Sequence, residues 1–171
     1  MPDPRRFLLA VYRRLPARLR RAAVRVLTPS FTVGSICVVE RDDGRLLFVR
    51  HSYRKRWGTP GGLLERGEVP AAAAVREAAE EVGIAIDVVD RPTVVVDPIA
   101  RRVDVVFRCR PAAGADPDAA SAQSPEILEA GWFAPDALPD LQFETASALR
   151  AIGMRVPVGV SGRAGRSPEP G

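Results

Sequence analysis

Thirteen residues restrict this chain more than any others: Pro70 to Val82, reading PAAAAVREAAEEV. Pro70 suits a first helical position, where a missing N–H costs nothing. Gly83 suits the stop, which favours a left-handed residue. At about 100° per residue, Ala71, Ala74, Val75, Ala78 and Val82 gather on one side of the predicted helix. Glu77, Glu80 and Glu81 gather roughly opposite, because positions three and four apart are neighbours. Such a helix lays a small apolar face on a sheet and turns three carboxylates outward together. Like charges at Glu77 and Glu81 repel by about a few tenths of a kcal/mol, and among them stands only Arg76, four residues before Glu80. A solvated structural face would intersperse lysines. Glu65 and Glu68 add two more acids just before the helix. An all-oxygen donor set suits a hard divalent ion, and Mg²⁺ is commonly shared between carboxylates and substrate phosphates. On this pattern alone, a metal site and an ordinary acidic helix face stand level.

Around this helix the pattern is that of strands. Ser35–Glu40 and Leu46–Arg50 flank the turn Asp42-Asp43-Gly44. Further strands are predicted at Ile84–Val89, Thr93–Val96, Val103–Cys109 and Glu129–Phe133, and a terminal helix at Thr145–Ile152. Residues 57–69 are rich in glycine and proline and read as a structured loop; Ala112–Ser124 reads as a flexible one. Strands and helices in this order predict a mixed sheet with helices covering its faces, an α/β (α+β) class.

Spacing adds what periodicity cannot. Residues 62–84 read GLLERGEVPAAAAVREAAEEVGI, which resembles the Nudix box, G-x5-E-x7-R-E-U-x-E-E-x-G-U, with U an aliphatic residue. Gly62, Glu68, Arg76, Glu77, Glu80, Glu81 and Gly83 fill all seven single-residue positions. Ile84 fits the last aliphatic one, and Ala78 fills the other with a smaller group. At average residue usage, a chance match is on the order of one in a million. Trp57 to Gly62 looks like the family's approach to the box, and Glu126 to Phe133 like its late acidic-then-Trp-Phe stretch. The resemblance implies the Nudix fold, an α/β/α sandwich with a mixed β-sheet.

It also implies roles. Glu77 and Glu81 would be the principal metal ligands, with Glu80 adding a ligand or holding a water. Glu68 would support the site through water or through Arg76, and Arg76 would orient the carboxylates. Gly62 would let the loop backbone approach the metal closely. The cofactor would be Mg²⁺, with Mn²⁺ able to substitute. A carboxylate would take the proton of the attacking water: Glu80 or Glu77 within the box, or Glu126, Glu129 or Asp97 outside it. Arg50, Arg54 and Lys55 precede the box and could supply cations to the remaining phosphates, with Glu126 a further substrate contact. His51 reads as a surface or phosphate-contacting residue, while Trp57 and Trp132 read as core. The implied activity is hydrolysis of a pyrophosphate bond in a nucleoside diphosphate linked to a moiety X: an ADP-sugar, a dinucleoside polyphosphate or a (d)NTP. The alternative is a nucleotide-sensing regulatory module without turnover, which would be expected to show eroded box glutamates.

Composition bounds the rest. Residues 1–27 carry eight arginines against one acid, Asp3, so the net charge of +4 belongs to this segment and the remainder is mildly acidic. We read residues 1–30 as a basic amphipathic helical segment, broken at Pro16 into two helices. Residues 31–155 are read as the Nudix domain and 156–171 as a disordered tail. The favoured role for the basic segment is an arm packing on the core or on a second subunit, a homodimer staying open. Peripheral contact with a membrane surface is the alternative, and no stable nucleic-acid partner is expected. Two isolated cysteines, Cys37 and Cys109, read as small buried hydrophobes, and one histidine cannot build a His-rich zinc site. No run approaches the roughly 20 apolar residues of a membrane span, so the reading is cytoplasmic, with a small-molecule nucleotide as partner.

Overall fold

The computed structural model describes residues 12–28 and 30–157. The chain falls into two compact units, residues 1–31 and 32–171. The expected tail lies, from residue 158 on, outside the described residues, as do residues 1–11 of the basic segment. Within the first unit, residues 12–14 are helical, the helix breaks at Leu15-Pro16, and α1 runs from Ala17 to Leu27. The break falls at Pro16, whose ring excludes it from a helix interior.

The second unit holds β1 (Thr32–Val39), β2 (Leu46–His51), β3 (Gly61–Leu63), α2 (Pro70–Val82), β4 (Ile86–Val88), β5 (Thr93–Asp97), β6 (Arg102–Pro111), β7 (Ile127–Phe133) and α3 (Phe143–Ala151). The larger sheet runs β3-β1-β6-β4, with β5 also pairing β6. Its centre is parallel: Thr32 faces Arg102, Gly34 faces Asp104 and Val39 faces Cys109. The other pairings are antiparallel, and β2 and β7 form a separate antiparallel pair.

Side-chain alternation along these strands builds two cores. Cys37, Val39, Leu47, Val49, Phe107 and Cys109 point to the side covered by Ala74, Ala78 and Val82 of α2. Ile36, Val38, Leu46, Phe48 and Val106 point the other way, onto Ala146, Ala148 and Leu149 of α3. Helix, sheets and helix are thus stacked, which is the expected sandwich with its mixed sheet. Fully burying one side chain of the size of Phe48 or Leu149 contributes about 1.5–3 kcal/mol, and both are 0% exposed.

Three details differ from the sequence expectations. The loop 57–69 contains β3, three residues with no alternating pattern, which form a strand because β1 offers its edge: Gly34, Ser35 and Ile36 pair with Leu63, Gly62 and Gly61. The loop after β6 contains a short 3-10 turn at Pro117–Ala119, capped by the Asp116 side chain. The third concerns the face of α2. Its buried residues are Ala73, Ala74, Ala78, Glu81 and Val82, while Val75 is 40% exposed and Ala71 is also exposed. The packed surface is made of two i, i+4 rows, 74-78-82 and 73-77-81. Small alanines in both rows let the helix lie close to β1, and this close approach carries the 77-81 row inward.

Candidate functional site

Two hydrogen bonds sew α2 to β1. Ser35 Oγ donates to the Pro70 carbonyl at 2.8 Å and Cys37 Sγ to the Ala74 carbonyl at 3.0 Å. Both cysteines are free and buried, as expected from their apolar settings. With α2 held there, Glu77 and Glu81 meet β3, which has almost no side chains to keep them away. A Cβ at Gly62 would overlap the Glu77 carboxylate, and one at Gly61 would strike the Ser35 carbonyl oxygen. The Gly61 N–H donates to Glu81 Oε2 at 3.1 Å. Glycine at 62 is therefore a steric requirement of the Glu77 carboxylate's position, and glycine at 61 of the close pairing of β3 with β1.

Glu77, Glu80 and Glu81 do not point outward together, as the sequence suggested, nor do the four glutamates of the motif converge on one point. Glu81 is 7% exposed and lies against Gly61 and His51, with His51 Nε2 3.5 Å from its Oε1. Arg76 gathers the other three. Its Nε and Nη2 donate to Glu68 at 2.9 and 3.0 Å, and its Nη1 donates to Glu77 at 2.9 Å and Glu80 at 3.0 Å. Arg76 also donates from Nη2 to the Leu63 carbonyl at 3.4 Å. Of the two routes proposed for Glu68, the direct one through Arg76 is present in the structure. Among the described residues, no three His, Cys, Asp or Glu side chains form a ready-made metal cage.

The charges are tuned apart. Arg76 and the Glu65 N–H hold Glu68 below the usual carboxylate range, and Glu68 in turn holds Arg76 protonated beyond its ordinary value. Burial pushes Glu77 up; Arg76 pulls it back, but Glu81 and Glu80 add to the upward push. One acid of the motif is thus settled in its charged form and another is kept uncomfortable in it.

Glu77, Glu80 and Glu81 line a cleft of about 840 Å³ together with Gly61 and Gly62, and its walls also carry Tyr53, Arg54, Arg102, Glu126 and Glu144. Of the expected substrate contacts, Arg54 and Glu126 line this cleft, and Arg50 and Lys55 do not. Arg50 turns instead to Glu129, 2.9 Å away across the β2–β7 pair, so both are taken up in a surface ion pair. Asp97 is likewise absent from the walls; its carboxylate accepts from the N–H groups of Ile99 and Ala100 and shapes the turn between β5 and β6. His51 is no surface residue: it is 7% exposed at the end of β2, and its Nδ1 is buried without a hydrogen-bond partner. Trp57 packs edge-on against Phe133, and Trp132 donates to the Pro117 carbonyl, both as structural residues. Sequence reasoning missed Arg102 and its partner Asp104, joined at 2.7 Å. Nothing local marks them, because their placement depends on a pairing with β1 far away in the chain.

The NUDIX domain family model matches residues 30–152. A MutT-like protein of Streptomyces ambofaciens is 34% identical over 116 residues, covering 68% of this chain and 72% of that protein. The CMP-5'-(N-acetyl-N-hydroxy-3-aminopropyl)phosphonate hydrolase of Streptomyces rubellomurinus is 32% identical over 134 residues, which is 75% of this chain and 65% of that protein. Among solved structures, the MutT NUDIX hydrolase of Burkholderia pseudomallei superposes with a TM-score of 0.57 at 29% identity, covering 71% of this chain and 97% of that one. The family match runs from the approach to β1 through the end of α3, the whole sandwich described above, and the chain belongs to the Nudix hydrolase family.

Proposed function

We propose that this chain hydrolyses a pyrophosphate bond in a nucleoside diphosphate linked to a further moiety X, with Mg²⁺ as its cofactor and Mn²⁺ able to substitute. One observation carries the reading: Glu77 and Glu81 are driven inward onto the glycine pair of β3 at a cleft whose walls hold five glutamates against two arginines. A diphosphate cannot settle among five carboxylates unless a cation joins it. The donor chemistry fits Mg²⁺, which takes oxygen ligands, keeps several waters and is commonly held by only one or two carboxylates plus substrate phosphates. A complete protein cage is therefore not required. Glu77 and Glu81 would hold the ion, Glu80 would contribute a ligand or hold one of its waters, and Gly62 leaves the space.

Bound there, the metal would neutralise diphosphate oxygens and make a water more acidic. The chain's own residues do the rest. Arg76 keeps Glu77 and Glu80 in place, and Glu68 keeps Arg76 in place. Of the acids considered as proton acceptor, Glu77, Glu80 and Glu126 line the cleft. Glu77 and Glu80 are tied to Arg76, whereas the Glu126 side chain has no ion-pair partner among the described residues, and we favour it as base. Arg54, beside the exposed Tyr53 ring, contributes positive charge at the rim. The substrate is a small nucleotide and the expected compartment the cytoplasm; among the described residues no helix is long and apolar enough to cross a membrane. A sensing module without turnover would have little use for all four motif glutamates, and all four are here.

The test is a panel of ADP-ribose, UDP-glucose, a dinucleoside polyphosphate, dGTP and a CMP-linked phosphonate, the last suggested by the Streptomyces rubellomurinus relative. Release of a nucleoside monophosphate that needs Mg²⁺ and stops with EDTA is the expected result. Glu81→Gln should lower the rate at least about a hundredfold, since losing even a residue behind a metal ligand typically costs 10–100-fold. A variant as active as wild type would overturn the site assignment.

A further inference from the structure

The cleft's two guanidiniums are not equivalent. Arg54 sits in the open, with Nη1 on Glu144 at 3.3 Å and a side chain 40% exposed. Arg102 is built in. Its Nε donates to Asp104 Oδ1 at 2.7 Å, and the Asp104 side chain is only 9% exposed. Nη1 and Nη2 of Arg102 donate to nothing among the described residues. A carboxylate holding the Nε edge leaves the Nη pair as a preset fork of donors, the geometry that grips phosphate or carboxylate oxygens.

Three further features serve this pair. Gly34 faces Asp104 across the parallel β1–β6 ladder, and a Cβ at Gly34 would clash with Asp104 Oδ1 and press on Arg102 Nη2. Arg102 directly follows Arg101, a non-glycine residue at φ 50°, a conformation that non-glycine residues adopt at a cost and that gathers at functional sites. The Arg101 carbonyl is held by the Thr32 N–H at 2.9 Å, which ties the start of β6 to the start of β1. Thr32, Arg102 and Ala100 then line the same cleft as Glu77 and Glu81.

We propose that Arg102, oriented by buried Asp104 in the space left by Gly34, is an anion subsite of this cleft and receives phosphoryl oxygens of the substrate. The proposal deepens the functional reading above and rests on it for the identity of the anion. It selects substrates with a negatively charged group that reaches Arg102 from within the cleft. Arg102 binds by charge-assisted hydrogen bonds and takes no part in proton transfer. Asp104 acts through it, as a positioning residue.

The experiment is calorimetric binding of inorganic pyrophosphate in MgCl₂ to the full chain. The proteins compared are wild type, Arg102→Ala, Arg102→Lys, Asp104→Asn and, as a control away from the cleft, Arg91→Ala; melting curves verify folding. A single charge-assisted contact predicts that Arg102→Ala raises Kd about tenfold or more. Arg102→Lys should recover part of the loss, because it keeps the charge without the fork. Arg91→Ala should match wild type. Should Arg102→Ala fail to fold, Arg102→Lys and Asp104→Asn carry the test, each expected to weaken binding several-fold. Wild-type affinity in the folded Arg102 variants, or no pyrophosphate binding by the wild-type protein, overturns the subsite. Turnover separates the two readings. If no panel nucleotide is hydrolysed yet pyrophosphate binding still depends on Arg102, the hydrolase reading fails and the subsite stands. If nucleotides are hydrolysed with unchanged KM in Arg102→Ala, the subsite fails and the hydrolase reading stands.

Discussion

Arg76 and Arg102 are both pinned by carboxylates, and the fold uses them in contrasting ways. Arg76 spends its donors within the protein, on three glutamates and a backbone carbonyl. It is saturated, so its work is to fix the positions of other groups. Arg102 spends one donor and keeps a fork in hand. The glycines beside them follow the same division. Gly62 clears space for a carboxylate and Gly34 for an arginine–aspartate pair. An anionic ligand meets carboxylates in one region and guanidinium donors in the other. Whether a charged side chain is structural or receptive is thus set by how many of its hydrogen bonds the fold has already consumed.

Of the two arginines, removing the saturated one should do more damage. Arg76→Ala leaves Glu68, Glu77 and Glu80 unpaired together, and is expected to cost about 10–100-fold in Mg²⁺-dependent hydrolysis, with a lower Tm. Arg76→Lys should rescue little, because an ammonium cannot serve three carboxylates in the plane of one fork. Full rescue by lysine would mean that only the charge matters at this position, and the contrast with Arg102 would lose its basis.

The paired glycines sharpen the comparison. Gly62→Ala should weaken Mg²⁺ binding, read as the metal concentration giving half-maximal rate, while Arg102-dependent pyrophosphate affinity changes less. Gly34→Ala should do the reverse, raising the pyrophosphate Kd about tenfold by displacing the Asp104–Arg102 pair. If both variants shift both quantities equally, the two regions are one unit and the division drawn here is wrong.

The smallest effect lies within the Arg76 cluster. The folded-state pKa of Glu68 is depressed, so its contribution to stability is present above the unfolded carboxylate pKa and is lost as pH falls through its folded value. Glu77 is raised, so its ionised form costs stability above its folded pKa, and acidification relieves that cost. In EDTA, Glu77→Gln should therefore raise the Tm at pH 7 by a degree or a few, about 1 kcal/mol or less. Glu68→Gln should lower it at pH 7, with the difference closing in acid. A Glu77→Gln protein less stable than wild type at pH 7 would show that the Arg76 ion pair outweighs the burial cost.

How much of this was legible beforehand follows from the range of each interaction. The bounds of α2 could be read residue by residue, because Pro70 and Gly83 act through local backbone geometry. Continuous apolar runs bounded by a turn were also visible, such as the strand expected at Leu46–Arg50, which the structure extends by one residue to His51. β3 was not, since Gly61-Gly62-Leu63 is a strand only by virtue of the edge β1 presents. The face of α2 was misjudged for a related reason. Polarity assigned Glu77 and Glu81 to solvent and Val75 to the core, but helix–sheet distance, set by the alanines, decided otherwise. Spacing singles out Glu68, Arg76, Glu77, Glu80 and Glu81, while nothing in the sequence shows that Arg50 and Glu129 engage each other in an ion pair. Arg102, Asp104 and Gly34 had no local signature at all.

The parallel pairing of Thr32–Val39 with Arg102–Cys109 carries a kinetic consequence. Its two strands are far apart in the chain, and the intervening segment must be looped out before a single rung forms, so loop-closure entropy opposes it early and its reward comes late. Local pieces such as α2 can form before then, but the anion fork cannot exist until β6 has zipped along β1. During refolding, helical signal should therefore recover ahead of pyrophosphate affinity, and ligand recognition should be among the last properties the chain acquires.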